Sequence, residues 1–275
     1  MPMTIDAAVA DVRETFPQPR YLHGDRERAW RTIADRVARY VKPGGSVLDF
    51  GSGPCDAASV VALMGYEVHA GDDLMDTWHL LPGMREKIAA FAARHGVKFE
   101  LLESTGPLPW GEQRFDMVML HHVLEHIPES PKDLMTAIVS CAKDEGYVFV
   151  TVPSAVNIRK RLDVLRGRTN YPPYDQFYWY PPPWRGHRRE YCRDDLVRLC
   201  RNLGLEQVEL TTYHAMLLRI PPAARPLYKA ATAVVPGWRD SWLLIARRPR
   251  GWKPPTEPPA GSKVMASLHM TGELN

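Results

Sequence analysis

The sequence predicts an α/β fold: a mostly parallel, seven-stranded sheet with an antiparallel edge strand, helices on both faces and a long lid insertion. Three observations predict it. Short apolar runs of strand length alternate with stretches whose apolar residues recur at helical spacing, the pattern of right-handed strand–helix–strand crossovers. One strand-to-helix junction is glycine-rich, Gly51-Ser52-Gly53-Pro54. Finally, the last two strand-like segments, Gln207–Thr212 and Trp242–Ala246, fall after a helix and are placed as an antiparallel pair at one edge.

The elements follow in order. Residues 1–24 read as a cover segment, the first twenty without regular periodicity. Asp25–Val41 puts Trp30, Ile33, Val37, Tyr40 and Val41 on one stripe and predicts an amphipathic helix. After the Lys42-Pro43-Gly44-Gly45 turn, Ser46–Phe50 reads as a buried strand, and helical spacing resumes through Ala57, Val60, Val61 and Met64. The alternation continues with strand Glu67–Gly71, helix Met84–His95, strands Lys98–Glu103 and Met117–His121, helix Lys132–Ala142 and strand Tyr147–Val152. Helix Asp194–Leu203 leads into the final strand pair. No repeat of fixed period is visible.

The 25 prolines are concentrated in two interruptions and the tail. Residues 154–190 combine five prolines between Pro172 and Pro183 with Tyr171, Tyr174, Phe177, Tyr178, Trp179, Tyr180 and Trp184, flanked by Arg159, Lys160, Arg161, Arg166 and Arg168. So long an insertion in a compact domain is either functional or disordered, and its aromatic content predicts order: an acceptor-side lid packed by its own rings. Residues 213–240 form an edge insertion with a helix over Arg225–Val235. The Pro/Gly/Ser-bearing tail, 250–275, is expected to be disordered.

At 275 residues one elaborated domain, 25–249, is favoured over two. The net charge of +3 is too mild to argue for nucleic acid. Four cysteines without a C-x-x-C pair, and no apolar leader in residues 1–20, point to the cytoplasm. No run of eighteen apolar residues is present, so no transmembrane segment is expected.

The chemistry is concentrated at Val47-Leu48-Asp49-Phe50-Gly51-Ser52-Gly53-Pro54-Cys55, between a strand and a helix, where glycines let the backbone approach a nucleotide-type ligand. An acid about twenty residues further, at the end of the next strand, can take both hydroxyls of a ribose, and Asp72, with Asp73 beside it, stands there. The longer G-x-G-x-x-G of a dinucleotide site is absent.

These residues resemble the first motif of the class I S-adenosylmethionine-dependent methyltransferases, of Rossmann-like fold, with Cys55 where the family has a third glycine. The likeness extends over roughly residues 40–152, through Leu108-Pro109-Trp110, Arg114-Phe115-Asp116-Met117-Val118 and His121-His122-Val123-Leu124-Glu125-His126-Ile127. It resumes at Gly186-His187-Arg188-Arg189-Glu190-Tyr191 and Trp242–Ala246. The resemblance implies S-adenosyl-L-methionine as cofactor, with Asp49, Gly51 and Gly53 on its methionine side, Asp72 and Asp73 at the ribose, Ser104 and Thr105 at the adenine edge and His121 as floor.

His187 is the leading candidate for a general base and His122 the second, imidazole being the side chain that titrates nearest neutrality. His122-Val123-Leu124-Glu125-His126 also matches H-x-x-E-H, a zinc signature of hydrolases. The stretch follows a strand and ends at Pro128, which leaves no long helix to present both histidines, so no metal is expected. The expected activity is methyl transfer to an oxygen or nitrogen of a small-molecule acceptor, a sugar, glycan precursor or related metabolite, with Arg159, Lys160 and Arg161 suited to a phosphate on it. An RNA methyltransferase and a non-catalytic S-adenosylmethionine-binding protein are the alternatives. Nucleic acid is disfavoured as a partner, and auxiliary contact with a membrane surface is the one use foreseen for Leu217–Val235, where Arg219, Arg225 and Lys229 accompany apolar residues.

Overall fold

The computed structural model describes residues 1–22, 24–103, 107–260 and 262. Seven strands form one sheet: β1 (Ser46–Phe50), β2 (Glu67–Asp72), β3 (Lys98–Leu101), β4 (Phe115–His121), β5 (Ala142–Pro153), β6 (Glu206–Tyr213) and β7 (Ser241–Arg247). Their spatial order is β3-β2-β1-β4-β5-β7-β6. The first five pair in parallel, whereas β7 runs antiparallel to both β5 and β6. The antiparallel strand is therefore β7, one place in from the edge, and β6 is the edge itself.

Side-chain alternation along these strands divides the core in two. Val47, Met117, Met119, Phe149, Leu243 and Ile245 face α1 (Ile5–Thr15), α2 (Gly24–Tyr40), α3 (Asp56–Leu63) and α4 (Met84–Arg94). Their neighbours Leu48, Val118, Leu120, Val148, Val150 and Leu244 face α5 (Lys132–Cys141) and α8 (Arg193–Leu203). Strands buried on both faces read as continuous apolar runs. Each fully covered large side chain contributes about 1.5–3 kcal/mol of transfer free energy.

Two expectations are corrected. The first twenty residues are not irregular: α1 is capped by the Thr4 hydroxyl, which accepts from the Ala7 amide at 3.3 Å, and it buries Ala8, Val9 and Val12 against α2 and α3. The i, i+3, i+4, i+7 spacing of Ile5, Ala8, Val9 and Val12 is a helical stripe made of small residues, which weakens the signal. The tail is ordered through residue 260. Trp252 donates from Nε1 to the Leu203 carbonyl at 2.6 Å, the Arg248 guanidinium lies 5.1 Å from the Trp252 ring centre, and Arg201 donates to the Ala260 carbonyl. Of the remainder expected to be disordered, only Ser262 lies among the described residues.

The lid expected over 154–190 contains α6 (Ile158–Leu165) and α7 (Tyr174–Tyr178). Its rings do meet one another, as in Tyr178 against Trp179 and Phe177 against Trp184, yet Tyr171, Tyr174, Phe177, Tyr178 and Trp179 stay largely exposed. The edge insertion carries α9 (Arg225–Val234), whose Tyr228 closes a small satellite core with Leu217, Ile220 and Ile158 of the lid. No helix among the described residues is long and apolar enough to cross a membrane.

Candidate active site

Strand order reverses between β1 and β4, and in such sheets ligands bind outside the carboxyl ends of the strands at that point. A cleft of about 1290 Å³ opens there, lined by the ends of β1, β2 and β4, by α2, and by the lid residues Pro183, Trp184, Arg185 and Arg188.

The donor side is shaped by backbone. Gly51 and Gly53 adopt φ of 70° and 53°, the left-handed region glycine enters without penalty, and a Cβ on Gly51 would collide with Val123. Cys55 also sits at φ 62°, which explains why a glycine suits that position; here a buried cysteine occupies the strained conformation. The amides of Gly51 and Ser52 donate to the Gly71 carbonyl, fastening the turn to the end of β2.

Asp72 then organises two loops. Its Oδ2 accepts from the Gly53 amide at 2.8 Å and its Oδ1 from the Leu74 amide at 2.7 Å. Burial outweighs these two bonds and pushes its pKa up to about 6. Asp49 is buried with Oδ1 unpartnered, and burial, reinforced by Asp56 and Asp72, raises its pKa well above the carboxylate range. An orphaned carboxylate oxygen facing a cleft calls for a cationic or N–H donor from a ligand. Asp73 is instead engaged with the lid: Arg185 grips both its oxygens, at 2.9 and 3.0 Å.

His121 forms part of the cleft wall with Nδ1 against the Thr151 hydroxyl at 3.2 Å, and burial lowers its pKa to about 3, so it is neutral. Ser104 and Thr105 lie outside the described residues. Their neighbours Leu102, Glu103 and Pro107 line the cleft beside Asp72.

The acceptor side is built around His122, a non-glycine residue at φ 58°. Nδ1 meets Glu125 Oε1 at 3.0 Å, and Nε2 meets the Tyr213 hydroxyl at 3.2 Å. With a carboxylate at Nδ1, that nitrogen carries the proton, and Nε2 accepts from the tyrosine. His187 does not line the cleft; its Nδ1 is 2.8 Å from Glu190 Oε1 and its ring packs edge-on against His126. Arg159, Lys160 and Arg161 also stay out of the cleft. Lys160 pairs with Glu190, and Arg161 donates to the Val156 carbonyl.

Three contributors escape the sequence reading. Arg26 donates from Nε to Asp56 at 2.8 Å while stacking 4.1 Å over Tyr21, so a cation–carboxylate pair forms part of the cleft wall beside the glycine turn. His79, almost fully buried beside Gly53, has both ring nitrogens unpartnered. The Tyr213 hydroxyl completes the His122 array. Each comes from a segment far in sequence from the glycine motif, and nothing in local spacing announces it.

Known proteins fit this geometry. A family model described as a methyltransferase domain matches residues 21–210. An S-adenosylmethionine-dependent methyltransferase from Mesorhizobium loti superposes with a TM-score of 0.53 at 18% identity, covering 82% of this chain and 98% of its own. The 1,6-didemethyltoxoflavin-N1-methyltransferase of Burkholderia thailandensis, bound to 1,6-didemethyltoxoflavin and S-adenosylhomocysteine, does so with 0.52 at 19%, covering 90% and 92%. The 4+2 cyclase SpnF gives 0.55 at 18%, covering 89% and 94%. No curated protein matches the chain significantly. Such identities speak for the fold, whereas the family model spans more than half of the chain, from α2 into β6. With its glycine turn, the doubly hydrogen-bonded Asp72 and the unpaired Asp49 lining one cleft, the chain belongs to the methyltransferase-domain family, the class I S-adenosylmethionine-dependent methyltransferases.

Proposed function

We propose that the protein transfers the methyl group of S-adenosylmethionine to an oxygen or nitrogen of a small-molecule acceptor, of the sugar, glycan-precursor or related metabolite class. The observation that carries this reading is the cleft itself: at about 1290 Å³ it exceeds the usual single-ligand pocket, and Pro183, Trp184, Arg185 and Arg188 of the lid line it. The Burkholderia methyltransferase, whose structure holds a small acceptor together with S-adenosylhomocysteine, supports it.

S-adenosylmethionine supplies an already electrophilic methyl group, so the protein's work is placement and proton management. Asp72 would hold the ribose, Asp49 would receive the amino group through its unpaired oxygen, and the Gly51–Gly53 turn would admit the ligand backbone-close. His122 is the proposed proton acceptor, in preference to His187, because it alone of the two lines the cleft. Glu125 fixes its tautomer, and an acceptor hydroxyl reaching Nε2 would donate there in place of Tyr213.

Charge favours a small anionic acceptor over RNA. Arg26 and Arg185 are neutralised by Asp56 and Asp73, while Arg188 and Arg219 line the cleft without an ion pair among the described residues. Two free cations suit one phosphate or carboxylate; a polyanion calls for a longer basic track.

The test is S-adenosylhomocysteine formation from S-adenosylmethionine with nucleotide-linked sugars, other phosphorylated metabolites and short RNAs, each at low and moderate salt. Turnover with a small phosphorylated acceptor supports the proposal. Turnover confined to RNA, with a steep salt dependence, moves the protein to the alternative class. Cofactor binding without turnover on any acceptor would favour a non-methylating role, one that the cyclase SpnF shows to be open to this fold.

A further inference from the structure

Beside the cleft, one ligating atom from each of Glu125, His126 and His187 lies within 4.8 Å of the other two. Glu125 and His126 come from the turn after β4, and His187 from the lid segment, so this cluster joins two parts of the chain sixty residues apart. The hydrogen bonds around it prepare it for a cation.

His126 Nδ1 lies 2.7 Å from the Arg185 carbonyl, an obligatory acceptor, so Nδ1 must carry the proton and Nε2 keeps its lone pair. His187 is set the same way, its Nδ1 being 2.8 Å from the Glu190 carboxylate. A ring N–H held by a carbonyl or carboxylate is the arrangement found behind metal-binding imidazoles. Independently, Glu125 is fully buried, and while Oε1 serves His122, Oε2 has no hydrogen-bond partner. A buried carboxyl oxygen without a partner is costly unless a ligand meets it.

We propose that Glu125, His126 and His187 bind one divalent first-row transition ion, with Glu190 and the Arg185 carbonyl orienting the two imidazoles. Two imidazoles and one carboxylate form a borderline-soft donor set suited to Zn²⁺ or Co²⁺ and unlike the all-oxygen sites of Mg²⁺ and Ca²⁺. Ligand bonds of about 2.0–2.1 Å place tetrahedral donors roughly 3.4 Å apart, so binding requires the lid segment to draw in by about an ångström. Three protein ligands leave at least one position for water or another ligand, and one of the three, His126, also lines the cleft. The ion would thus staple Arg185–Glu190 to the end of the sheet. The H-x-x-E-H spacing finds its metal-binding use in a different form: Glu125 and His126 are kept, His122 serves the cleft, and His187 completes the set from the lid.

The experiment uses the full chain, stripped with chelator and titrated with Zn²⁺ and separately with Co²⁺, followed by calorimetry, elemental stoichiometry and the cobalt visible spectrum. Expected are one ion per chain, cobalt bands of a low-coordinate N/O site, a higher melting temperature with ion, and loss of affinity by at least tenfold in His126→Gln and in His187→Gln. Glu190→Gln should weaken binding by about tenfold through the imidazole it orients. S-adenosylhomocysteine binding serves as the check that each variant is folded, since none of these residues is assigned to the donor side. Absence of stoichiometric binding to the wild type, or unchanged affinity in both folded histidine variants, overturns the site.

Discussion

The two halves of the cleft are built by different means. On the donor side, position is set by backbone: glycines at positive φ, the Gly51 and Ser52 amides fastened to the neighbouring strand, and Asp72 held by the amides of Gly53 and Leu74. On the acceptor side, position is set by side chains from distant segments, His122 between Glu125 and Tyr213, and by a lid whose aromatics are largely exposed. A backbone-built half tolerates little change and suits one invariant ligand; a side-chain-built half can be re-specified by substitution while the sheet stays intact.

The contrast can be broken at four points. The largest effect is expected at His122: His122→Gln should lower kcat by about 10²–10⁴-fold, the usual worth of a positioned proton acceptor, while S-adenosylhomocysteine affinity stays within twofold. Equal losses in both would mean that the two halves are not separable.

Next is Gly51→Ala, which forces a left-handed alanine into Val123. Cofactor affinity should fall by about tenfold or more, from a strain of roughly 1–2 kcal/mol, with the fold retained by circular dichroism. Unchanged affinity would show that the turn has slack the backbone picture denies.

The third is a pH effect with a definite sign. Burial raises the folded-state pKa of Asp72 from 3.8 to about 6. The carboxylate is the form that accepts from ribose hydroxyls and amides, so cofactor affinity should weaken as pH falls through about 6, and Asp72→Asn should flatten that dependence. For stability the sign is opposite. The folded state holds the proton more tightly than the unfolded chain, so wild-type stability relative to Asp72→Asn should decline as pH rises from about 4 through about 6. A wild-type affinity that is level between pH 5 and 7 would contradict the assignment.

The smallest effect is expected in the lid. Trp179 is 79% exposed, and Trp179→Ala should leave melting temperature and cofactor affinity nearly unchanged, within about 0.5 kcal/mol. Any consequence should appear only in the KM for acceptor, read once an acceptor is known.

The same contrast explains what the sequence made legible. The central strands were readable because double-sided burial writes itself as short apolar runs, whereas the more exposed β3 and β6 were placed by the alternation of strands and helices, and the glycine turn with Asp72 stood out because glycine and an acid recur there at a fixed interval. The helix α1 was missed because alanine and valine make a faint stripe, and the tail because its anchors, Trp252 on the Leu203 carbonyl and Arg201 on the Ala260 carbonyl, join residues distant in sequence. Away from the glycine motif, no spacing rule links His122 to Tyr213, Arg26 to Asp56 or His126 to His187. Those pairs exist only after the sheet has brought residues 30 to 91 positions apart together, and the preference for His187 over His122 as base could not be weighed without knowing which ring lines the cleft.

The central claim is that S-adenosylmethionine occupies the β1–β4 cleft with its ribose on Asp72. Calorimetric titration with S-adenosylhomocysteine, on the wild type and on Asp72→Ala at pH 7.5, tests it most directly. The account predicts one site of about micromolar affinity, weakened by at least about tenfold in the variant through loss of charge-assisted hydrogen bonds of roughly 1.5–3 kcal/mol. Binding that is equal in both proteins, or no binding to a folded wild type, would contradict it.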